Sequence, residues 1–232
     1  MNHKTRLFAI LTAATAAIGI GTYSIANSRS PMNPSTTVAR EHGGMNHGGM
    51  TNSGSMEHGG MNHNMDVGPA DANYDLRFLD SMMPHHQGAL VMAQELLAKS
   101  KRPELIKLAN NIISDQTTEI AQMQKWRKQW YPKASATPVM WHAGMKHEMP
   151  MTAEHMQMMQ MNISLGNADA GFDKRFLDAM IPHHQGAVTM AQDLLQKSKR
   201  PEMKKLAQNI LTSQQQEIDM MTQWRNKWYP AK

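Results

Sequence analysis

The sequence predicts an all-α protein: a pseudo-symmetric four-helix bundle built from two repeated helical hairpins, preceded by a leader rich in Met and His. Three observations predict it. Arg77 to Pro132 aligns without gaps on Arg175 to Pro230 with about two-thirds of positions identical, so the second half repeats a unit. Each unit carries two apolar stripes at the helical period, and a lone hairpin has nothing to bury them against except a second one. Ahead of the repeats the composition shifts to Gly, Asn, Ser, His and Met with almost no Leu, Ile or Phe, which cannot supply a core.

The elements follow in chain order. In residues 1–26, Lys4 and Arg6 precede the apolar run LFAILTAATAAIGIGTY, which reaches small residues at Ser24 and Ala26. This reads as an export signal cut near Ala26, or as an N-terminal anchor. Either reading puts the rest of the chain outside the cytoplasm, in the periplasm or another extracytoplasmic space. Residues 27–71 are predicted to be a disordered metal-binding leader, in which HGGMNHGGM (His42 to Met50) returns as HGGMNHNM (His58 to Met65). A linker needs Gly and Ser, but not His and Met at every third or fourth position.

The hairpins occupy residues 72–132 and 170–232. KSKRPE (Lys99 to Glu104, again Lys197 to Glu202) joins the helices of each, with Pro103 and Pro201 suited to a first helical turn. WYP ends the second helix each time, because the residue before proline resists helical geometry. Pro84 and Pro182 predict a kink or a fresh start in the first helix, beside the motif PHHQGA. Residues 133–169 form an inter-repeat segment. Its stretch MWHAGMKHEMPMTAEHMQMMQM (Met140 to Met161) ends in a short helical pattern and is expected to fold over a bundle end.

Projection at the helical period of about 100° per residue places Phe78, Leu79, Met82, His85, His86, Ala89, Met92, Ala93, Leu96 and Leu97 on one side of the first helix. On the second helix Leu105, Leu108, Ala109, Ile112, Gln116, Glu119, Ile120, Met123, Trp126 and Trp130 share one side. The histidine pair, a glutamine and a glutamate therefore face inward, in both repeats. The paired tryptophans Trp126 and Trp130, with Trp224 and Trp228, read as bundle caps.

The chain has no Cys and 24 Met. Thioether and imidazole together suit monovalent copper, with silver as a mimic, and imidazole alone also takes divalent copper or zinc. Three groups of ligand candidates result. The leader offers His42, Met45, His47, Met50, His58, Met61, His63 and Met65. The bundle offers Met82, His85, His86, Met92 and Met123, with Met180, His183, His184, Met190 and Met221 as the copy, one site per hairpin. Gln116 and Glu119, with Gln214 and Glu217, would accept the other ring N–H and fix each imidazole. The inter-repeat segment offers Met140, His142, Met145, His147, Met149, Met151 and His155, followed by Met156, Met158, Met159 and Met161.

Other classes lack their residues. The net charge of +5 is interspersed with acids, so no nucleic-acid patch is expected. No nucleophile motif or phosphate-binding glycine loop occurs, so neither catalysis nor a small-molecule substrate is expected. A ferritin-like oxidase needs several inward carboxylates and Glu-x-x-His, whereas each repeat supplies one inward Glu. A Met-rich oxidant sink without a specific metal site is the other alternative.

The pattern FLDxMxPHHQGAxxMAQ (Phe78 to Gln94 and Phe176 to Gln192), followed by QxxEIxxM (Gln116 to Met123 and Gln214 to Met221), resembles a bacterial domain-of-unknown-function family of ferritin-like helical bundles. With the leader, the chain is similar to periplasmic copper-binding members carrying two repeats. The resemblance implies a role in copper resistance and homeostasis, with copper ions as the partner and a copper exporter or sensor protein as a candidate recipient. It carries ligand candidacy onto Met82, His85, His86 and Met92 and onto Met180, His183, His184 and Met190.

Overall fold

A computed structural model describes residues 66–230. In chain order it contains α1 (Tyr74–Lys99), α2 (Pro103–Trp130), β1 (Val139–His142), β2 (His147–Pro150), α3 (Ala153–Gln160), α4 (Phe172–Lys197) and α5 (Pro201–Trp228). The expected four long helices form the body. The leader's His42, Met45, His47, Met50, His58, Met61, His63 and Met65 lie outside the described residues, as does the segment read as a signal or anchor. No described helix is long and apolar enough to cross a membrane.

Each hairpin turns through three residues, of which the first and third are extended. Ser100 ends the first helix and its Oγ accepts the Arg102 N–H at 3.2 Å; Ser198 does the same for Arg200 at 3.2 Å. Pro103 and Pro201 then open the next helix. Pro84 and Pro182 lie inside unbroken helices, so no fresh start occurs there.

α1 packs mainly on α2, and α4 on α5, but the cores are shared between repeats. Phe78, Leu79 and Met82 from the first half of α1, with Ile120, Met123 and Trp126, pack against Met190, Leu194, Leu206 and Ile210 of the second repeat. The reciprocal core joins Met92, Leu96, Leu105 and Ile112 to Phe172, Phe176, Leu177, Met180 and Met221. α1 and α4 therefore cross antiparallel at their middles, and each hairpin completes the other's core. The ends are tied in the same reciprocal way. The Arg102 guanidinium lies 4.0 Å from the Trp228 ring centre, and that of Arg200 4.4 Å from Trp130. Trp126 stacks on Trp130 and Trp224 on Trp228.

The inter-repeat segment departs from expectation in two ways. It contains an antiparallel ladder, with a reversal through Gly144 and Lys146, the latter at φ 53°. It also covers the flank of α1 and not a bundle end. Trp141 and Glu148 face the bundle, where the Arg77 guanidinium sits 5.3 Å from the Trp141 ring centre and bonds Glu148 at 3.2 Å. Asp80 accepts the Val139 N–H at 2.9 Å. Short-range periodicity could not show this, because the anchors are single side chains some 60 residues upstream.

Further along α1, the end of α3 lies on Gly88. A Cβ placed there would stand 1.7 Å from the Gln160 carbonyl oxygen, so the missing side chain is the seat of α3. An interior helical glycine costs about 1 kcal/mol against Ala, and close approach of this backbone gives Gly88 its reason. Gly88→Ala is accordingly expected to destabilise by about 1–3 kcal/mol despite its better helix propensity. Thermal denaturation checks it: a higher Tm than the parent would mean that α3 does not rest there.

Candidate metal centre

Between the two apolar cores the PHHQGA turns of α1 and α4 meet. The His85 and His183 rings lie 3.9 Å apart between centres, tilted by 45°. Each also stands beside its chain neighbour, His86 at 6.3 Å and His184 at 6.1 Å, with nearly equal tilts of 59° and 57°. All four imidazoles are buried. They form one layer across the pseudo-two-fold axis, which corrects the expectation of one separate site per hairpin.

Carboxylates hold two of the rings. The His86 Nε2–H donates to Glu119 at 2.7 Å, and the His184 Nε2–H to Glu217 at 2.8 Å. Each bond fixes a ring with Nδ1 directed elsewhere. The glutamines do not join in holding the rings. Gln116 and Gln214 are buried, and their Oε1 atoms have no hydrogen-bond partner.

His183 takes a third kind of partner, donating Nε2–H to the Gln160 carbonyl at 3.1 Å. Burial, then the neighbouring His184, pushes its pKa down to about 3. Burial likewise drives His85 well below the usual histidine range, followed by the effect of His183. Both rings are thus neutral at ordinary pH. With its proton on Nε2, His183 presents a lone pair at Nδ1.

Eight buried side-chain polar atoms lack partners among the described residues, and seven of them belong to this layer. They are both nitrogens of His85, the Nδ1 atoms of His86, His183 and His184, and the two glutamine oxygens. Unpartnered buried polar groups are scarce in folded proteins because each forfeits its hydration. Their concentration in one place marks a site built for something other than stability.

Among the described residues no three His, Asp or Glu side chains are arranged to hold a metal ion. The remaining donors nearby are thioethers. The crossing redistributes them relative to the reading within one hairpin: Met82 and Met123 pack with Met190, while Met92 packs with Met180 and Met221. Met203 joins the first group, so buried Met lie in both cores that flank the histidine layer. Asp115 was missed by sequence reasoning. Its carboxyl is pushed up by burial, then by Glu217 and Glu119, so three carboxylates gather where α2 and α5 approach the layer. Its repeat counterpart is Ser213, and that break in the repeat was the available signal.

The inter-repeat candidates fall in two places. In the ladder, Met140 pairs with Met149 and His142 with His147, all on the face opposite Trp141 and Glu148. The two rings stack at 6.1 Å, and His142 Nδ1 accepts the Met145 N–H at 3.0 Å. Met145 is exposed, whereas Met151 and Met159 are buried. His155 closes the capping box of α3 with Thr152.

Fold and site together define a helical bundle whose two hairpins meet over a buried layer of histidines. The chain belongs to the DUF305 family (domain of unknown function), whose model matches residues 75–225. It is similar to the solved structure of CopM in the Cu(II)-bound form, at 42% identity over 67% of this chain and 97% of that one, with a TM-score of 0.55. CopM in the Cu(I)-bound form is 40% identical over 67% and 97%, TM-score 0.52. A DUF305 fragment from Deinococcus radiodurans is 28% identical over 68% and 99%, TM-score 0.54. A shorter likeness joins 49 residues, 47% identical, to an uncharacterized protein of Acanthamoeba polyphaga mimivirus, spanning 21% of this chain and 32% of that protein.

Proposed function

We propose that this protein binds copper outside the cytoplasm as part of copper resistance, lowering the free ion and holding it for a copper exporter or sensor. Cu(I), or Ag(I) in its place, is held by Met and His; Cu(II) is held mainly by His. The observation that carries the reading is the layer of four buried histidines with five unpartnered ring nitrogens, set between two cores that each contain buried Met. Neutral imidazole and thioether form the donor set that monovalent copper favours. Met82 and Met180 lie one turn before their histidine pairs, so sulfur and nitrogen are neighbours on each helix. Glu119 and Glu217 orient His86 and His184, while Asp115 adds negative charge at the approach from α2 and α5. The outward face of the ladder, with His142, His147, Met140 and Met149, is a second station at the surface. The similarity to copper- and silver-bound CopM supports the same reading.

The test is a Cu(I) titration against a competing chelator, on the parent and on a variant with His85, His86, His183 and His184 changed to Ala. The quadruple variant is expected to lose its tightest sites, weakening by more than about 100-fold while remaining helical by circular dichroism. Glu119→Gln with Glu217→Gln is expected to weaken them by about 10–100-fold, as for other groups that orient a metal-binding His. Unchanged tight binding in a folded quadruple variant would make the layer a structural polar network.

A further inference from the structure

The four rings of the histidine layer are shut off from solvent, with His85, His86 and His184 at 0% exposure and His183 at 1%. An ion bound there has crossed a wall of the bundle. On one side α1 packs on α4, and α3 sets its Gln160 carbonyl on Gly88 and on the His183 Nε2–H. Along the bundle the two apolar cores close the layer. The fourth side differs. α2 and α5 make far less contact with each other than either makes with its own hairpin partner. There the carboxylates that hold the layer reach the surface, with the Glu119 side chain 14% exposed and that of Glu217 11%.

Two features of this side have no role in holding the rings. Gln116 and Gln214 are 3% and 2% exposed, and their Oε1 atoms have no partner. Each stands three residues before its glutamate, so amide and carboxylate share one face of α2 and one face of α5. A buried amide oxygen without a donor forfeits its hydration, and an apolar group of the same shape would be the more stable choice. The other feature is Asp115, exposed on α2 one turn before Glu119. Its carboxyl is pushed up by burial, then by Glu217 and Glu119, so it lies close to both. Its counterpart in the second repeat is Ser213, so this carboxylate is an addition to the shared frame.

We propose that the ion enters the histidine layer between α2 and α5: Asp115 recruits it at the rim, Glu119 and Glu217 flank the opening, and the Gln116 and Gln214 Oε1 atoms carry it to the imidazoles. The route rests on the copper reading of the layer. Carboxylate and amide oxygens attract a cation by charge and dipole, but as hard donors they hold a soft ion poorly. A passage needs that combination, binding well enough to admit the ion and weakly enough to release it. In keeping with transit, no three His, Asp or Glu side chains among the described residues are arranged to hold a metal. The first rings the ion meets are His86 and His184, which bond those glutamates and have unpartnered Nδ1 atoms. Thioether and imidazole beyond the opening are the softer donors, so affinity rises inward.

The test is anaerobic stopped-flow transfer of Cu(I) from an uncharged chromogenic chelator to the full chain. The kinetic phase missing from the variant with His85, His86, His183 and His184 changed to Ala reports the layer. Asp115→Asn is expected to slow that phase at least about threefold at about 0.01 M salt, where the Debye length is about 30 Å. At about 1 M salt, where that length is about 3 Å, the variant should match the parent. Ser213→Asp supplies the second repeat with the missing carboxylate and is expected to speed the phase at low salt. Gln116→Leu with Gln214→Leu is expected to slow it at least about fivefold at either salt, the loss of a weak contact in the barrier. In that pair the equilibrium affinity should hold, since entry and exit share the route, and Tm should not fall. A loss of equilibrium affinity there would make the amides ligands and overturn transit. Unchanged rates in the variants, or slowing by Asp115→Asn that ignores salt, overturn the route while the parent's phase upholds the copper reading. A parent without that phase overturns the copper reading, and the route falls with it.

Discussion

Asp80→Ala is expected to cost about 3 kcal/mol of stability, whereas the same change at its repeat counterpart, Asp178, costs less than about 1 kcal/mol. The Asp80 carboxylate is fully buried and accepts Arg127 Nε at 2.5 Å, Arg127 Nη2 at 3.1 Å and the Val139 N–H at 2.9 Å. Its loss leaves a guanidinium with only the Ser135 carbonyl, at 2.8 Å, and strips the ladder of its anchor on α1. Asp178 makes the equivalent bond to Arg225 at 2.9 Å and another to Lys174, but its side chain is 39% exposed. Water replaces those bonds cheaply. In thermal denaturation the Asp80 variant should melt lower by about 6–12 °C, for a chain of this size. Equal losses at the two positions would show that the ladder and α3 do not seal the α1 flank.

Acidification is the second large effect. The metal-free protein should lose stability as pH falls from about 6.5, since His183 ionises readily when unfolded but only near pH 3 when folded. In that interval the unfolded chain binds the extra proton, so falling pH favours unfolding. At 1.36 kcal/mol per pKa unit, His183 alone accounts for roughly 3 kcal/mol by pH 4, and His85 acts in the same direction. Carboxylates act elsewhere. Asp169 is held below its ordinary range by Arg175; burial works upward on Asp178, but Lys174 and Arg225 together outweigh it. Their contributions disappear only below about pH 4. Asp115, pushed up, works in the opposite sense over its own range. Tm measured from pH 7 to pH 4.5 therefore reads the histidines, and a flat profile would contradict their burial as neutral rings.

Much of this arrangement is legible in the residues themselves. Pro103 and Pro201 mark helix starts, and WYP marks the ends at Trp130 and Trp228. The helical projection puts His86 and Glu119 on inward faces, and they bond at 2.7 Å. What escapes it is the relation between elements. Helical periodicity states which side of α1 is apolar but carries no information on the direction in which α4 crosses it. Periodicity therefore groups Met82 with Met92, whereas the antiparallel crossing gives them to different cores. The ladder is hidden for a related reason. Met140, His142, His147 and Met149 read as a ligand run, while the pairing that aligns them depends on Arg77 and Asp80 in another element. Gly88 looks like a weak point in a helix until a carbonyl from another segment is set against it.

The reciprocal closure of the bundle, with Arg102 on Trp228 and Arg200 on Trp130, bears on dosage. A chain with one such hairpin would own only half of the histidine layer, and the layer would exist only where two chains paired. Its capture of an ion would then rise and fall with the abundance of the protein, as for any ligand bound across a subunit boundary. Joining both halves in one polypeptide removes that dependence. A single molecule, however dilute, carries a whole layer.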